Sequence, residues 1–387
     1  MMEVFNSPGK VIITCNRRLS PYLAQEVSAL GFDIVRSFNT GVEVKATVNE
    51  CIRLNLNLRV ASQVLYEIKS FRAFDAEELY KNLVVIPWEE LLPFDGYFSV
   101  TSHVHNETIT TPLFANVKVK DAIVDRIKDK KGLRPNSGPE LSKAVIHLHW
   151  MDDRAEIFLD TSGETLAKHG YRKHPGKAPM LEALAASTIM ATNWDGKSPF
   201  INPMCGSGTL AIEAALFAQK RMPGLQRMNY SFMHVLGYNE DAFFEERRLL
   251  KEKTDKTNLP FIVASDISDE AIEIARQNAR TAGVEHLIQF EVCDFAKTTV
   301  PAEQGVIMFN PEYGERLGIH SRLEATYKRI GDFLKQECKG YRGYIFTGNP
   351  DLAKKIGLRA SRRFEFFNGK LDCRLLQYEL YEGTREK

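Results

Sequence analysis

The residues with the clearest chemical potential are Asn310, Pro311 and Tyr313, in the segment Phe309-Asn310-Pro311-Glu312-Tyr313-Gly314-Glu315-Arg316-Leu317. It follows the apolar run Val306-Ile307-Met308-Phe309, which reads as a buried strand. An asparagine side-chain oxygen and the next backbone carbonyl can each accept one hydrogen of an exocyclic amine, and a tyrosine ring can stack on the base carrying it. The lone pair of such an amine is delocalised into the base, so the amine is a poor nucleophile. Two acceptors aimed at its hydrogens favour a pyramidal nitrogen and stabilise the positive charge that develops on alkylation. Positioning against an electrophilic methyl supplies much of the remainder. Asn-Pro by itself more often marks an ordinary turn.

A second segment, Asn202-Pro203-Met204-Cys205-Gly206-Ser207-Gly208-Thr209, stands between the strand-like Phe200-Ile201 and a helix expected over 209–220. Its glycines allow a ligand close to the backbone, and the helix start offers unpaired N–H groups. With Ala211 it also fits G-x-G-x-x-A, a dinucleotide fingerprint. Asp266 ends the run Val263-Ala264-Ser265-Asp266-Ile267, where a carboxylate can grip both hydroxyls of a ribose. It stands sixty residues after Gly206, against about 20 in the dinucleotide pattern, so 221–258 reads as an insertion. Asp266 or Ser268 also suits the cap of a helix over 268–281. Cys293-Asp294-Phe295 follows a third strand, 288–292; Asp294 there can accept from an adenine amine with Phe295 beside the ring, or serve as a loop residue. Cys293 reads as a packed thiol.

The elements around these segments alternate. In the first half the spacing predicts a strand at 11–14, a helix from Ser20 to about Leu30 stopped by Gly31, a strand at 41–45, a helix over 49–65 followed by a strand at 64–68, and a helix capped by Asp75. A strand at 97–101, a helix over 116–130 and a strand pair at 144–150 and 156–159 complete a mixed α+β pattern. Beyond a boundary near 165–178, punctuated by Gly170, Pro175, Gly176 and Pro179, apolar strands alternate with helices. Phe200-Ile201, 261–264, 288–290, 306–309 and 343–346 indicate an α/β, doubly wound sheet.

Composition narrows the function classes. The 387 residues carry 51 Lys and Arg against 50 Asp and Glu, a net charge of +1. This excludes a uniformly basic nucleic-acid coat while leaving room for a local basic patch. No apolar run approaches the roughly 20 residues of a membrane helix, and the N-terminus has no secretory pattern. Six cysteines without a C-x-x-C pair argue against a disulfide framework or a zinc site and for a cytoplasmic protein.

In this order the segments resemble adenosylmethionine-dependent methyltransferases that modify exocyclic amines. Leu159–Leu166, Lys168-His169-Gly170-Tyr171-Arg172, Ala178-Pro179-Met180-Leu181-Glu182 and Asn202–Thr209 resemble the bacterial THUMP-domain rRNA guanine-N2 methyltransferases, earlier labelled N6-adenine-specific DNA methylases. The resemblance covers nearly the whole chain and is strongest over 156–320. It implies a ferredoxin-like subdomain over 1–60 and a THUMP RNA-binding domain over 61–165, an α+β module. A Rossmann-like methyltransferase domain over 166–387 then uses S-adenosyl-L-methionine. By motif it implies that Asn202, Pro203, Cys205, Gly206, Ser207 and Gly208 line the cofactor pocket, with Asn310. Asp266 and Ile267 would hold the ribose, and Asp294 and Phe295 the adenine. Asn310, Pro311 and Tyr313 would match a catalytic N-P-P-Y, in which Glu312 replaces the second proline and adds an N–H and a charge. Glu312 is expected to favour guanine by accepting from its N1–H.

The implied partner is RNA, 23S rRNA or a ribosomal precursor, with no metal and no membrane. A guanine amine in a paired region must be flipped out or taken from a loop. Lys118, Lys128, Lys131 and Arg134, with Lys168 and Arg172, are candidate phosphate contacts, although 116–130 also suits a solvated helix face and Lys168 and Arg172, at the domain junction, equally suit interdomain packing. Arg359, Arg362 and Arg363 beside Phe364, Phe366 and Phe367 read as a strand with one buried face. His103 and His105, and His147 and His149, form H-x-H pairs read as surface or core histidines rather than metal ligands. The insertion, with Arg221, Arg227, Tyr230, Phe232, Phe243 and Phe244, is expected to cover the cleft or to be a packing element. Three alternatives remain at this stage: an adenine-N6 methyltransferase on RNA or DNA, a non-catalytic rRNA-binding assembly factor, and a dinucleotide oxidoreductase.

Overall fold

A computed structural model describes residues 5–109, 111–174, 179–314 and 320–381. Pro175, Gly176 and Ala178 at the expected boundary, and Glu315, Arg316 and Leu317 after the Asn-Pro segment, lie outside the described residues. The chain divides into two compact units. The first comprises Met1–Asn16, Leu23–Ala167 and Pro223–Lys251; the second comprises Arg17–Tyr22, Lys168–Met222 and Glu252–Lys387.

The first unit holds β1 (Gly9–Thr14), most of α1 (Ser20–Ala29), β2 (Ile34–Phe38), β3 (Gly41–Ala46), α2 (Val48–Asn57) and β4 (Gln63–Arg72). There follow α3 (Ala76–Val84), β5 (Tyr97–His105), α4 (Pro112–Lys131), β6 (Asn136–Ser137), β7 (Ala144–Met151) and β8 (Arg154–Asp160). Its strands form one sheet in the order β2-β3-β1-β4-β8-β7-β5-β6. The β-α-β-β-α-β run through β4 is ferredoxin-like, and β4 joins it to the remaining strands of the sheet by pairing with β8. Helix α2 is shorter than the expected 49–65. Thr47 and Glu50 close a capping box at its start, and Leu58 is already extended, so the chain leaves the helix before β4. Strand β2 has no expected counterpart, because Ile-Val-Arg-Ser-Phe does not alternate in the way a half-buried strand does. Asp75 caps α3 through the Glu77 and Glu78 amides, and α4 runs from Pro112 at its first turn to Gly132 in the left-handed conformation.

The second unit continues with α5 (Glu182–Ala191), β9 (Phe200–Pro203) and α6 (Thr209–Ala218). The excursion Pro223–Lys251, which carries most of α7 (Glu240–Glu252), belongs to the first unit. Tyr230, Phe232 and Phe243 are buried there and pack ring on ring. Arg247 donates to the Gly224 and Arg227 carbonyls, and the Val145 amide donates to Ser231. The insertion is therefore a packing element of the first unit. The chain resumes with β10 (Ile262–Asp266), α8 (Asp269–Ala282), β11 (Ile288–Val292), β12 (Val306–Phe309), α9 (His320–Gln336), β13 (Arg342–Thr347), α10 (Pro350–Lys355), β14 (Arg362–Asn368) and β15 (Leu371–Glu379).

These strands form a sheet in the order β11-β10-β9-β12-β13-β15-β14. The pairs from β11 to β13 are parallel, and β15 lies antiparallel to both β13 and β14. Strands β9 and β12 are buried at every residue, as strands covered on both faces must be. On α9, Leu323, Tyr327, Ile330 and Leu334 form one buried stripe against Ile307, Phe309 and Ile345. Strand order reverses between β9 and β12, which is where an open α/β sheet places a ligand, beyond the carboxyl ends of its strands.

Candidate active site

Each chemistry-bearing segment of the second unit begins at one of those carboxyl ends. Asn202 and Pro203 close β9, Asp266 closes β10, Asp294 follows β11 by two residues, and Asn310 follows β12. Among the described residues no helix is long and apolar enough to cross a membrane.

The glycine loop is built by its backbone. Gly206 and Gly208 have φ of +54° and +80°, and Met204 also sits at +54°, a strained value for a side-chain-bearing residue. A Cβ on Gly208 would meet the Ala275 Cβ at 2.8 Å, so this glycine lets α6 and α8 approach. A Cβ on Gly206 would meet nothing within 4 Å. Gly206 therefore leaves an open cradle, not a packing contact. The Asp266 carboxylate ties this loop to the second strand: one oxygen accepts from the Gly206 amide at 3.0 Å and the other from the Ser268 amide at 3.0 Å. Ser268, not Asp266, caps α8, through the Ala271 amide. Each carboxylate oxygen keeps a lone pair for a further donor, as ribose hydroxyls would supply. Ile267 beyond it is 74% exposed, and Val292, paired with Asp266 on β11, is 53% exposed.

Asn202 is 1% exposed; its amide nitrogen donates to the Met308 carbonyl at 2.9 Å, and its Oδ1 is buried without a partner. Asn310 Oδ1 is likewise buried and unpartnered. A buried acceptor left open costs about 1–3 kcal/mol unless a donor arrives, so both oxygens fit a ligand that brings N–H or O–H groups. Pro311 is buried, Glu312 exposed and Tyr313 half-buried. The Tyr313 hydroxyl accepts from the Asn368 amide at the end of β14, at 2.8 Å, and its ring meets Phe346 edge-on. Burial pushes the phenol up to about 12, so it stays protonated near neutrality. Cys205 is also pushed up by burial and stays a thiol. Ser207 faces Thr209 at 3.5 Å.

Two expectations need correction. Phe295 does not lie open for an adenine: it is 7% exposed and packs edge-on against Phe309 and Phe333 in the core. Arg172 is not a free phosphate contact. Its guanidinium donates to the Met180 carbonyl and to Thr209, and lies 3.5 Å from Glu182. It braces the starts of α5 and α6, while His169, fully buried, pairs with Glu213 at 2.7 Å further along α6. Lys168 is exposed. In the first unit Lys128, Lys131 and Arg134 are exposed, and Lys118 is half-buried with its ammonium over Phe114. His147 shares a hydrogen bond with Thr101 at 2.8 Å, and His103 stacks on His149. On β14, Arg363 and Glu365 lie exposed on one face and Phe366 is buried on the other, while Arg362, on the face of Phe366, is exposed at the start of the strand. Sequence reasoning missed Asn368 and Arg329, which meet Tyr313 and Asp294 only through tertiary contacts.

A mixed sheet with this order and a parallel centre, a glycine loop after its first strand, a carboxylate after its second and an Asn-Pro-x-Tyr segment after its fourth define a Rossmann-like methyltransferase that uses S-adenosylmethionine. The comparisons agree. Residues 169–377 match the RMKL-like methyltransferase domain, 73–160 the THUMP domain and 10–65 the RlmL ferredoxin-like domain. The chain belongs to the family of THUMP-bearing, RMKL-like methyltransferases. It is 35% identical over 97% of its length to the ribosomal RNA large subunit methyltransferase K/L of Syntrophotalea carbinolica, covering 54% of that protein. The chain thus spans about half the length of the K/L relatives it matches. It is 33% identical to a candidate RNA methyltransferase of Synechocystis, covering 95% of this chain and 96% of that one. Among solved structures, a candidate methyltransferase, SMU.472, in complex with S-adenosylhomocysteine aligns over 99% of this chain and 100% of its own, with a TM-score of 0.87 and 28% identity.

Proposed function

We propose that the chain transfers a methyl group from adenosylmethionine to the N2 amine of a guanine in 23S rRNA, as naked RNA or in a ribosomal precursor. The observation that carries the reading is the buried, unpartnered Asn310 Oδ1 beside Tyr313 at the end of β12, the strand next to the glycine-loop strand. The K/L relatives, named for large-subunit rRNA, supply the substrate class.

The cofactor brings an electrophilic methyl on a sulfonium. The Gly206 cradle, Asn202, Asp266 and Ile267 would hold it, with Asp294 at the adenine. Asn310 Oδ1 and the Pro311 carbonyl accept the two hydrogens of the target amine. That contact strengthens as the nitrogen gains positive charge, so it acts mainly on the transition state. Tyr313 stacks on the base, and one amine proton leaves to solvent after transfer. The exposed Glu312 accepts from guanine N1–H and so discriminates against adenine. The N-terminal part, ferredoxin-like over 1–60 and THUMP over 61–165, captures RNA, with Lys118, Lys128, Lys131 and Arg134 on phosphates; 166–387 carries the transfer.

Deleting the gene in its source organism tests this. The rRNA should lose one N2-methylguanosine, restored by the wild-type gene and not by Asn310→Ala. Loss of N6-methyladenosine instead, or of no modified nucleoside, would contradict the reading.

A further inference from the structure

Asp294 ends in an asymmetric arrangement. Its Oδ1 accepts from the Ala296 amide at 3.0 Å and from an Arg329 guanidinium nitrogen at 2.8 Å, whereas Oδ2 has no partner among the described residues. Burial pushes the carboxyl up; the Ala296 amide and Arg329 outweigh it, and the group stays an anion. Arg329 reaches it from α9, whose inner stripe is packed in the core. Its guanidinium lies 4.9 Å from the centre of the Phe295 ring, and that ring is fixed edge-on by Phe309 and Phe333. The guanidinium therefore has a rigid seat on one side and a carboxylate oxygen on the other. Arg329 is 53% exposed and Asp294 29%, and a pair this open contributes little to stability. Such an arrangement fixes direction more than it stabilises the fold.

We propose that Arg329 is a positioning residue for the adenine of the cofactor: by holding Asp294 through Oδ1 it leaves Oδ2 to accept from the exocyclic amine. This rests on the reading that Asp294 faces the adenine. Without Arg329 the carboxylate rotates and its preference for an amine over a carbonyl falls.

The test compares two ligands by calorimetry on the full chain. One is S-adenosylhomocysteine. The other is S-inosylhomocysteine, which carries a carbonyl oxygen where the first has the amine. Wild type should prefer the first by about a hundredfold, the scale of one hydrogen bond to a charged group. Asp294→Asn should bring the ratio near unity, and Arg329→Met should reduce it at least about tenfold through the loss falling on S-adenosylhomocysteine. Arg329→Lys, which keeps the charge without the planar fork, should lie between and serves if the Met variant folds poorly. If the Arg329 variants weaken both ligands equally while Asp294→Asn collapses the ratio, Arg329 is only structural and the proposal falls. If Asp294→Asn leaves the ratio unchanged, the assignment of Asp294 to the adenine falls first.

Discussion

Gly206 and Asp266 stand sixty residues apart and are joined by one hydrogen bond, from the Gly206 amide to the Asp266 carboxylate at 3.0 Å. The bond makes the glycine loop and the second strand end one rigid cradle. Removing the carboxylate strips the Gly206 and Ser268 amides of their acceptor and removes the group proposed to meet the ribose. Asp266→Ala should weaken S-adenosylhomocysteine binding about a hundredfold, near 2–3 kcal/mol, the scale of a charged hydrogen-bonded group. Calorimetry reads this directly. A loss under about threefold would mean that the carboxylate only braces the loop.

The two loop glycines should fail in different ways. Gly206→Ala meets no neighbouring atom, and its left-handed φ costs about 1–2 kcal/mol. It should melt within several degrees of wild type yet bind S-adenosylhomocysteine at least about tenfold more weakly. Gly208→Ala drives a methyl into Ala275 at 2.8 Å and should lower the melting temperature more. Calorimetric melting and ligand titration on the same samples separate the two. Equal melting losses would contradict the distinction.

The Asn368–Tyr313 hydrogen bond ties the β14–β15 hairpin to the Asn-Pro turn. Tyr313→Phe removes the hydroxyl and keeps the ring, and Asn368→Ala removes the donor. Each should lower kcat several-fold on rRNA lacking the modification while S-adenosylhomocysteine binding stays at wild-type strength. The double variant should be little worse than either single one, because both remove the same bond. Additive losses would show that the two side chains act separately.

What could be read in the sequence was what local pattern carries. The apolar runs 306–309 and 343–346, the glycines at 206 and 208, and the acidic ends of two strands all declare themselves within a few residues. Asp266 was found despite its spacing because a strand leads into it and a capped helix follows. The misreadings share a cause. The helical pattern over 49–65 suggested a longer helix, yet Leu58 is extended, as the turn toward β4 requires. Packing and phosphate contact stayed equally open for Arg172 because Met180, Glu182 and Thr209 come to it through folding. Asn368 and Arg329 lie 55 and 35 residues from their partners, and no local rule announces such a pair.

His147 gives the first unit a pH dependence. Burial is the main cause that pulls its pKa down to about 4, aided by His149 and His103. An unfolded histidine titrates near 6.5. Between those values the unfolded chain holds the extra proton and the folded chain does not. Stability is therefore fully present above about pH 6.5 and falls as pH drops toward 4, by up to about 3 kcal/mol. His147→Gln should flatten that part of the melting-temperature profile. An unchanged slope in the variant would place the titration elsewhere.

Isotope labelling identifies the methylated atom. Purified chain is incubated with adenosylmethionine carrying a deuterated methyl and with rRNA from a strain lacking the gene. The RNA is digested to nucleosides and analysed by mass spectrometry, with Asn310→Ala as control. Label should appear in N2-methylguanosine with wild type and in no nucleoside with the variant. Label in N6-methyladenosine would overturn the base assignment. No label in any nucleoside, from protein that binds S-adenosylhomocysteine, would contradict the transfer itself.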